Sequence, residues 1–174
     1  KEIQDIRTAG MLHDVGKVAI SDLILKKPAA LTADEYNVMK THTWLGARLF
    51  KNRESEFDDM SLQVALSHHE NWDGTGYPGH IDPATGLAIE QDSHGNARPL
   101  EKDEIPIFGR IVSLADVYDA LSSQRVYKKA WNEEDVINEI RSQSGRKFDP
   151  EVVDAFLYCL DNIKSLAERY PDTD

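Results

Sequence analysis

Cysteine is almost missing. Cys159 is the only one in 174 residues, so no disulfide can form within the chain, and a reducing, cytoplasmic compartment is expected. Long apolar runs are missing too. None approaches the ~20 residues that span a bilayer, so no membrane segment is expected in this chain. No signal-peptide pattern stands at Lys1. Positive charge is scarce. Lys and Arg number 20 against 31 Asp and Glu, giving a formal charge of −11. That field argues against DNA or an anionic membrane as partner. An anionic substrate would need local cations or metal to offset it. There is no internal repeat, linker or low-complexity segment. The hydrophobic share of 40% is ordinary for a globular protein. The length suits one core and one domain over residues 1–174. The chain opens directly in a helix-like stretch, so further residues are expected upstream.

What is present is mostly helical patterning. Residues 2–14 carry apolar positions near one face, and Gly16 reads as the cap that ends the helix. His13 and Asp14 then fall in its last turn. Ser21 caps a brief turn through Leu25. Thr32 and Glu35 form a capping box ahead of the next helix. His42 stands at or between helical segments, with helix continuing to Lys51. Residues 52–57 read as a loop, and a buried helix over residues 58–69 ends in His68 and His69. From Gly79 to Pro106 the chain is irregular, with a small hairpin expected and His80 and His94 exposed. The strongest helix starts at Pro106 and runs through Ser122. Asn132 caps a helix to Ser144, stopped by Gly145. Asp149 and Pro150 open the last helix, which runs to about Arg169.

Certain polar residues break this pattern. Asp116 interrupts a buried stripe, where a carboxylate costs several kcal/mol unless paired or metal-bound. His13, Asp14, His42, His68 and His69 lie at helix ends. A bundle can gather such side chains in its core. No cysteine accompanies them, which excludes a thiolate zinc site. Mixed nitrogen and oxygen ligands suit iron, manganese, nickel or zinc. Six ligands are too many for one metal with an open position, and suit two metals bridged by a carboxylate. Such a pair activates water and binds a phosphoryl oxygen. The basic run Arg125-Val126-Tyr127-Lys128-Lys129 is a candidate anion site in an acidic protein.

His13-Asp14 with Val15-Gly16-Lys17, then His42, His68-His69 and Asp116, resembles the HD superfamily of metal-dependent phosphohydrolases. The stretch His68 to Pro78, ending in Gly76-Tyr77-Pro78, is similar to the signature of its HD-GYP subfamily. Arg125 to Lys128 and Phe148 to Val153 resemble that subfamily as well. The resemblance implies an all-α, single-domain helical bundle of HD-domain type, with a small irregular or hairpin insertion. It implies a phosphodiesterase that hydrolyses cyclic dinucleotides, chiefly cyclic di-GMP, through attack of a metal-bridging hydroxide on phosphorus. By motif position, His13, Asp14, His42, His68, His69 and Asp116 would hold two divalent ions. Iron or manganese is expected first, with nickel and zinc open. Asp14 would bridge them and, with Lys17, form the catalytic pair. Lys17, Tyr77, Arg125 and Lys128 would bind substrate. Domains of this family usually follow a sensory or receiver domain. Some members add a third metal through a Glu and a His upstream of the HD pair; this chain supplies ligands for two. The stretch from Gly79 to Glu104 is longer than the usual linker; an insertion there would sit near the site mouth and is a candidate determinant of substrate preference, for instance toward a mixed guanine–adenine dinucleotide. An HD enzyme for linear nucleotides is disfavoured by the Gly-Tyr-Pro loop. A catalytically silent sensor is the other alternative, binding cyclic dinucleotide or, through that loop, a diguanylate cyclase.

Overall fold

A computed structural model describes residues 1–123 and 131–169. The described chain is helical, with α1 (Glu2–Met11), α2 (Asp22–Leu25), α3 (Ala33–Lys40), α4 (His42–Ala47), α5 (Glu56–Ser67), α6 (Ile107–Ser122), α7 (Glu133–Ser142) and α8 (Pro150–Arg169). Helix starts follow side-chain chemistry. The Thr32 hydroxyl accepts from Glu35 N at 3.3 Å, while the Glu35 carboxylate accepts from Thr32 N at 2.7 Å. Ser55 caps α5 by accepting from Asp58 N, and Asn132 caps α7 by accepting from Asp135 N. Asp149 opens α8, accepting from Glu151 N at 2.9 Å. Its other oxygen accepts from Arg110 at 2.7 Å, which pairs a charge that is otherwise buried.

α5 lies at the centre, packed against α1, α4 and α6. Its apolar surface meets Ala9 and Val112 through Met60 and Val64, and meets Ala47 through Leu62 and Ala65. A separate cluster of Leu114, Val136, Ile140, Phe148 and Val153 joins α6, α7 and α8. These three clusters leave the ends of α1 and α5 and the middle of α6 to converge with the start of α4.

Several boundaries differ from the sequence reading. α1 stops at Met11, and His13 and Asp14 lie in the turn before a 3-10 segment, Val15–Ala19. Gly16 is therefore no helix cap. It is buried against α4, where a methyl group would overlap the His42 carbonyl and the Gly46 amide. α4 ends at Ala47 and tightens into a 3-10 turn, Arg48–Phe50. α5 begins two residues earlier than expected, because Ser55 is an effective cap, and ends at Ser67.

The insertion forms isolated antiparallel bridges, Ile81 with Ala88 and Gln91 with Ala97, and no regular hairpin among the described residues. His94 is exposed as expected, but His80 is half-buried. Its Nε2 accepts from Arg98 at 2.6 Å, and Arg98 also grips Glu90 and Glu104 at 2.9 Å each. No described helix is long and apolar enough to cross a membrane. Arg125 and Lys128 lie outside the described residues.

Candidate metal centre

The six residues singled out in the sequence come together. His13 arrives from the turn after α1 and Asp14 from the start of the 3-10 segment. His42 opens α4, and His68 caps the end of α5 with His69 beside it. Asp116 projects from the middle of α6. Asp14, His42, His68 and His69 each offer a ligand atom within 4.8 Å of the others. His13 Nε2 is 3.4 Å from Asp14 Oδ2 and 3.7 Å from Asp116 Oδ1. The ring centroids of His13 and His68 are 4.9 Å apart.

Three imidazoles are oriented by the backbone. His13 Nδ1 lies 2.6 Å from Gly10 O, and His42 Nδ1 lies 2.7 Å from Met39 O. His68 Nδ1 lies 3.0 Å from Val64 O. A carbonyl can only accept, so each Nδ1 carries the proton and the neutral ring keeps its Nε2 lone pair free. Those lone pairs point at one another and at Asp14. His42 Nε2 and His68 Nε2 are 3.4 Å apart, and lie 3.3 Å and 3.8 Å from Asp14 Oδ1. That oxygen is buried and has no hydrogen-bond partner. Acceptors facing acceptors need a cation between them. The donor set, nitrogen and carboxylate oxygen with backbone-oriented histidines, fits a divalent transition metal.

Protonation favours the same occupant. Burial pushes the His69 imidazole down to about 2, helped by His68 and His42. Burial also lowers His42. Burial alone would raise the Asp14 carboxyl. His13, His68 and Lys17 outweigh it and hold that carboxyl far below the usual range. Asp14 stays ionised while His42 and His69 stay neutral, as metal ligands must. His13 shifts upward: burial works against this, but the charged form of the ring would donate from Nε2 to Asp14 as well as from Nδ1 to the Gly10 carbonyl, and these prevail.

Other site residues sit around this cluster. Lys17 pairs with Asp14 and is itself about one-third exposed. The Tyr77 ring stacks on His69 at 4.8 Å. Burial and the neighbouring Tyr36 raise the Tyr77 hydroxyl well above the usual range, so it remains a hydrogen-bond donor. Asp116 differs from expectation. Its side chain is 34% exposed, because that face of α6 borders a cavity rather than core. The cavity, about 500 Å³, lies between α1 and α6 and is largely apolar, with Ile3, Ile6, Met11 and Ile111 beside His13 and Asp116.

Glu70 was not singled out by its pattern, yet it is almost fully buried. It accepts from Gly79 N at 2.5 Å and Leu100 N at 3.2 Å. It thereby ties both ends of the insertion to the residue after His69. The signature loop is held from the far side too. Trp72 N donates to Lys147 O and Asp73 N to Arg146 O. Arg110 covers the Trp72 ring at 5.5 Å.

A family model for the HD domain matches residues 1–121. The chain belongs to the HD domain family. This HD domain is 40% identical over 172 residues to the cyclic di-GMP phosphodiesterase of Thermotoga maritima, covering 99% of this chain and 42% of that protein. It is 37% identical over 171 residues to the 3′3′-cGAMP-specific phosphodiesterase 2 of Vibrio cholerae, covering 98% of this chain and 29% of that protein. Its fold is similar to that of a cyclic GMP-AMP specific phosphodiesterase of V. cholerae, V-cGAP3. The TM-score is 0.60 at 19% identity, over 95% of this chain and 40% of that one. The HD domain thus spans less than half the length of these relatives.

Proposed function

We propose that this HD domain hydrolyses a phosphodiester bond of a cyclic dinucleotide, cyclic di-GMP or the mixed guanine–adenine molecule. The carrying observation is Asp14 Oδ1, buried without a hydrogen-bond partner and faced by imidazole nitrogens that have no proton to give. The names of the relatives supply the substrate class. His13, Asp14, His42, His68, His69 and Asp116 would hold two divalent ions, iron or manganese, with Asp14 between them. Bound there, the ions would polarise a phosphoryl oxygen and activate water at neutral pH.

The chain's own residues do the rest. Backbone carbonyls fix His13, His42 and His68, so the site is assembled before substrate arrives. Lys17, exposed enough to turn, would carry positive charge to the reacting phosphate. Tyr77 holds the His69 ring by stacking and presents a protonated hydroxyl to the substrate. Arg125 and Lys128 keep their proposed role on phosphate or guanine from the motif. The apolar cavity beside His13 and Asp116 offers a wall for the flat face of a base. The oxygen of water bonds to phosphorus, the bond from phosphorus to the 3′ oxygen breaks, and the proton that the water gives up is balanced by one taken up at the 3′ oxygen. A diguanylate cyclase docking on the Gly-Tyr-Pro loop remains part of the proposal for regulation.

Asp14→Ala tests this reading. Metal content and hydrolysis of both dinucleotides are measured after anaerobic loading with iron(II) or manganese(II). Metal should be lost and hydrolysis should fall more than ~100-fold. Hydrolysis that persists without metal would overturn the mechanism. A metal-loaded wild type that turns over neither dinucleotide would favour the silent sensor.

A further inference from the structure

We propose that Lys40 is a second anion subsite, which receives the phosphate of the cyclic dinucleotide that is not being cleaved. This rests on the substrate class proposed above. Lys40 is the last residue of α3, two positions before His42, and is half-buried. In a protein of charge −11, a covered ammonium would be expected to hold a carboxylate. The other partly covered lysines of the N-terminal half do: Lys17 holds Asp14 and Lys27 holds Glu35. Among the described residues Lys40 has no carboxylate partner. Its ammonium lies between two aromatic rings, 5.4 Å from the centroid of Tyr36 and 5.8 Å from that of Tyr77. Both distances are within cation–π reach, so the rings hold the charge in place without neutralising it.

The place is a pocket. Lys40, Asn37 and Trp44 form its helical side, and Tyr77, Ile81 and Ala97 close it from the other. Its volume is about 250 Å³, below the ~300–1,000 Å³ of a site that engulfs a drug-sized ligand, so it suits one part of a larger molecule. The insertion wall is fixed. Gly86, at φ +73 in the left-handed region, lies against the Trp44 indole, and a Cβ there would come within 2.7 Å of Trp44 Cε2.

Tyr77 joins this pocket to the metal centre. Its ring touches His69 at 4.8 Å and Lys40 at 5.8 Å. A cyclic dinucleotide carries two phosphates on one macrocycle. With one phosphate at the metal ligands, the other must settle a short way off against a net negative protein. Lys40 is a cation one aromatic ring away from His69. Binding energy taken from the remote phosphate would hold the reacting one in register.

The test compares wild type, Lys40→Met and Lys40→Arg in the manganese-loaded protein. The substrates are cyclic di-GMP and bis(4-nitrophenyl) phosphate, which carries a single phosphodiester. In Lys40→Met, the ratio of kcat/KM on cyclic di-GMP to that on the small diester should fall ~10-fold, mainly through KM, as expected for loss of a charge-assisted contact. Lys40→Arg should recover most of it. Cyclic di-GMP binding to the metal-stripped protein, followed by calorimetry, should weaken by a similar factor in Lys40→Met. An unchanged ratio in Lys40→Met, beside a wild type that turns over cyclic di-GMP, would overturn the subsite alone. A wild type that cleaves the small diester and no cyclic dinucleotide would overturn the substrate reading, and the subsite with it.

Discussion

Position 16 reaches the metal centre without contributing a ligand. Gly16 follows Asp14 by two residues and packs its bare backbone on the first turn of α4, against His42. Gly16→Ala forces the 3-10 segment and α4 apart, and so separates Asp14 from His42. Overpacking of this kind costs ~1–3 kcal/mol. The expected outcome is a melting temperature lower by several degrees together with reduced metal content, read by calorimetry and elemental analysis. Unchanged metal content would show that the two ligands tolerate the displacement. The ligands themselves were legible in the sequence because histidines and aspartates at helix ends break an apolar pattern. Gly16 was legible as special but for the wrong reason: a glycine after a helical run looks like a cap, and close approach leaves no trace in one strand of sequence. Glu70 and Lys40 were not legible. Each gains its meaning from partners distant in the chain, Leu100 for one and Tyr77 for the other.

The element that sequence patterning described least well is the insertion. Its bridges are single, so no alternation of apolar and polar residues marks it. What holds it is polar: Glu70 at its two ends, and Arg98 within it, gripping Glu90, Glu104 and His80. Arg98→Met should loosen it, and limited proteolysis at neutral pH should then cut between residues 82 and 98 faster than in wild type. Equal cutting would mean that Glu70 and the Gly86–Trp44 contact suffice. The same pin has a pH signature. Hydrogen bonds from Arg98 pull the Glu104 carboxyl down to about 2, with the Glu101 amide and His80 contributing. A carboxyl depressed on folding stabilises above its ordinary value near 4.5 and loses that contribution as pH falls through about 2. Amide exchange in the insertion, corrected for intrinsic rates, should therefore be flat above pH ~5 and lose protection below it. The helices were far more legible, since Thr32, Asn132 and Asp149 announce their starts chemically.

At the scale of the molecule, three apolar clusters are built without the ligands. Phe148, Ile140 and Val136 are almost wholly buried between α6, α7 and α8. Covering each such side chain is worth ~1.5–3 kcal/mol, so the fold is expected to stand without metal. Chelation should lower the melting temperature by several degrees, since an ion at 100 times its Kd contributes ~2.7 kcal/mol, and leave the helical circular dichroism at 25 °C intact. Loss of helix on chelation would show that the centre is structural. The helical class and the acidic balance were legible from composition and period alone. The partnership of the signature loop with the α7–α8 turn was not, because it is made by main-chain atoms. That fact bears on how such a chain can change over generations. The carbonyls of Arg146 and Lys147 are indifferent to which side chains they carry, so substitutions in that turn can accumulate freely. A gain or loss of one residue there would slide both carbonyls out of step with Trp72 and Asp73, and the turn's length, rather than its identity, is what inheritance must preserve.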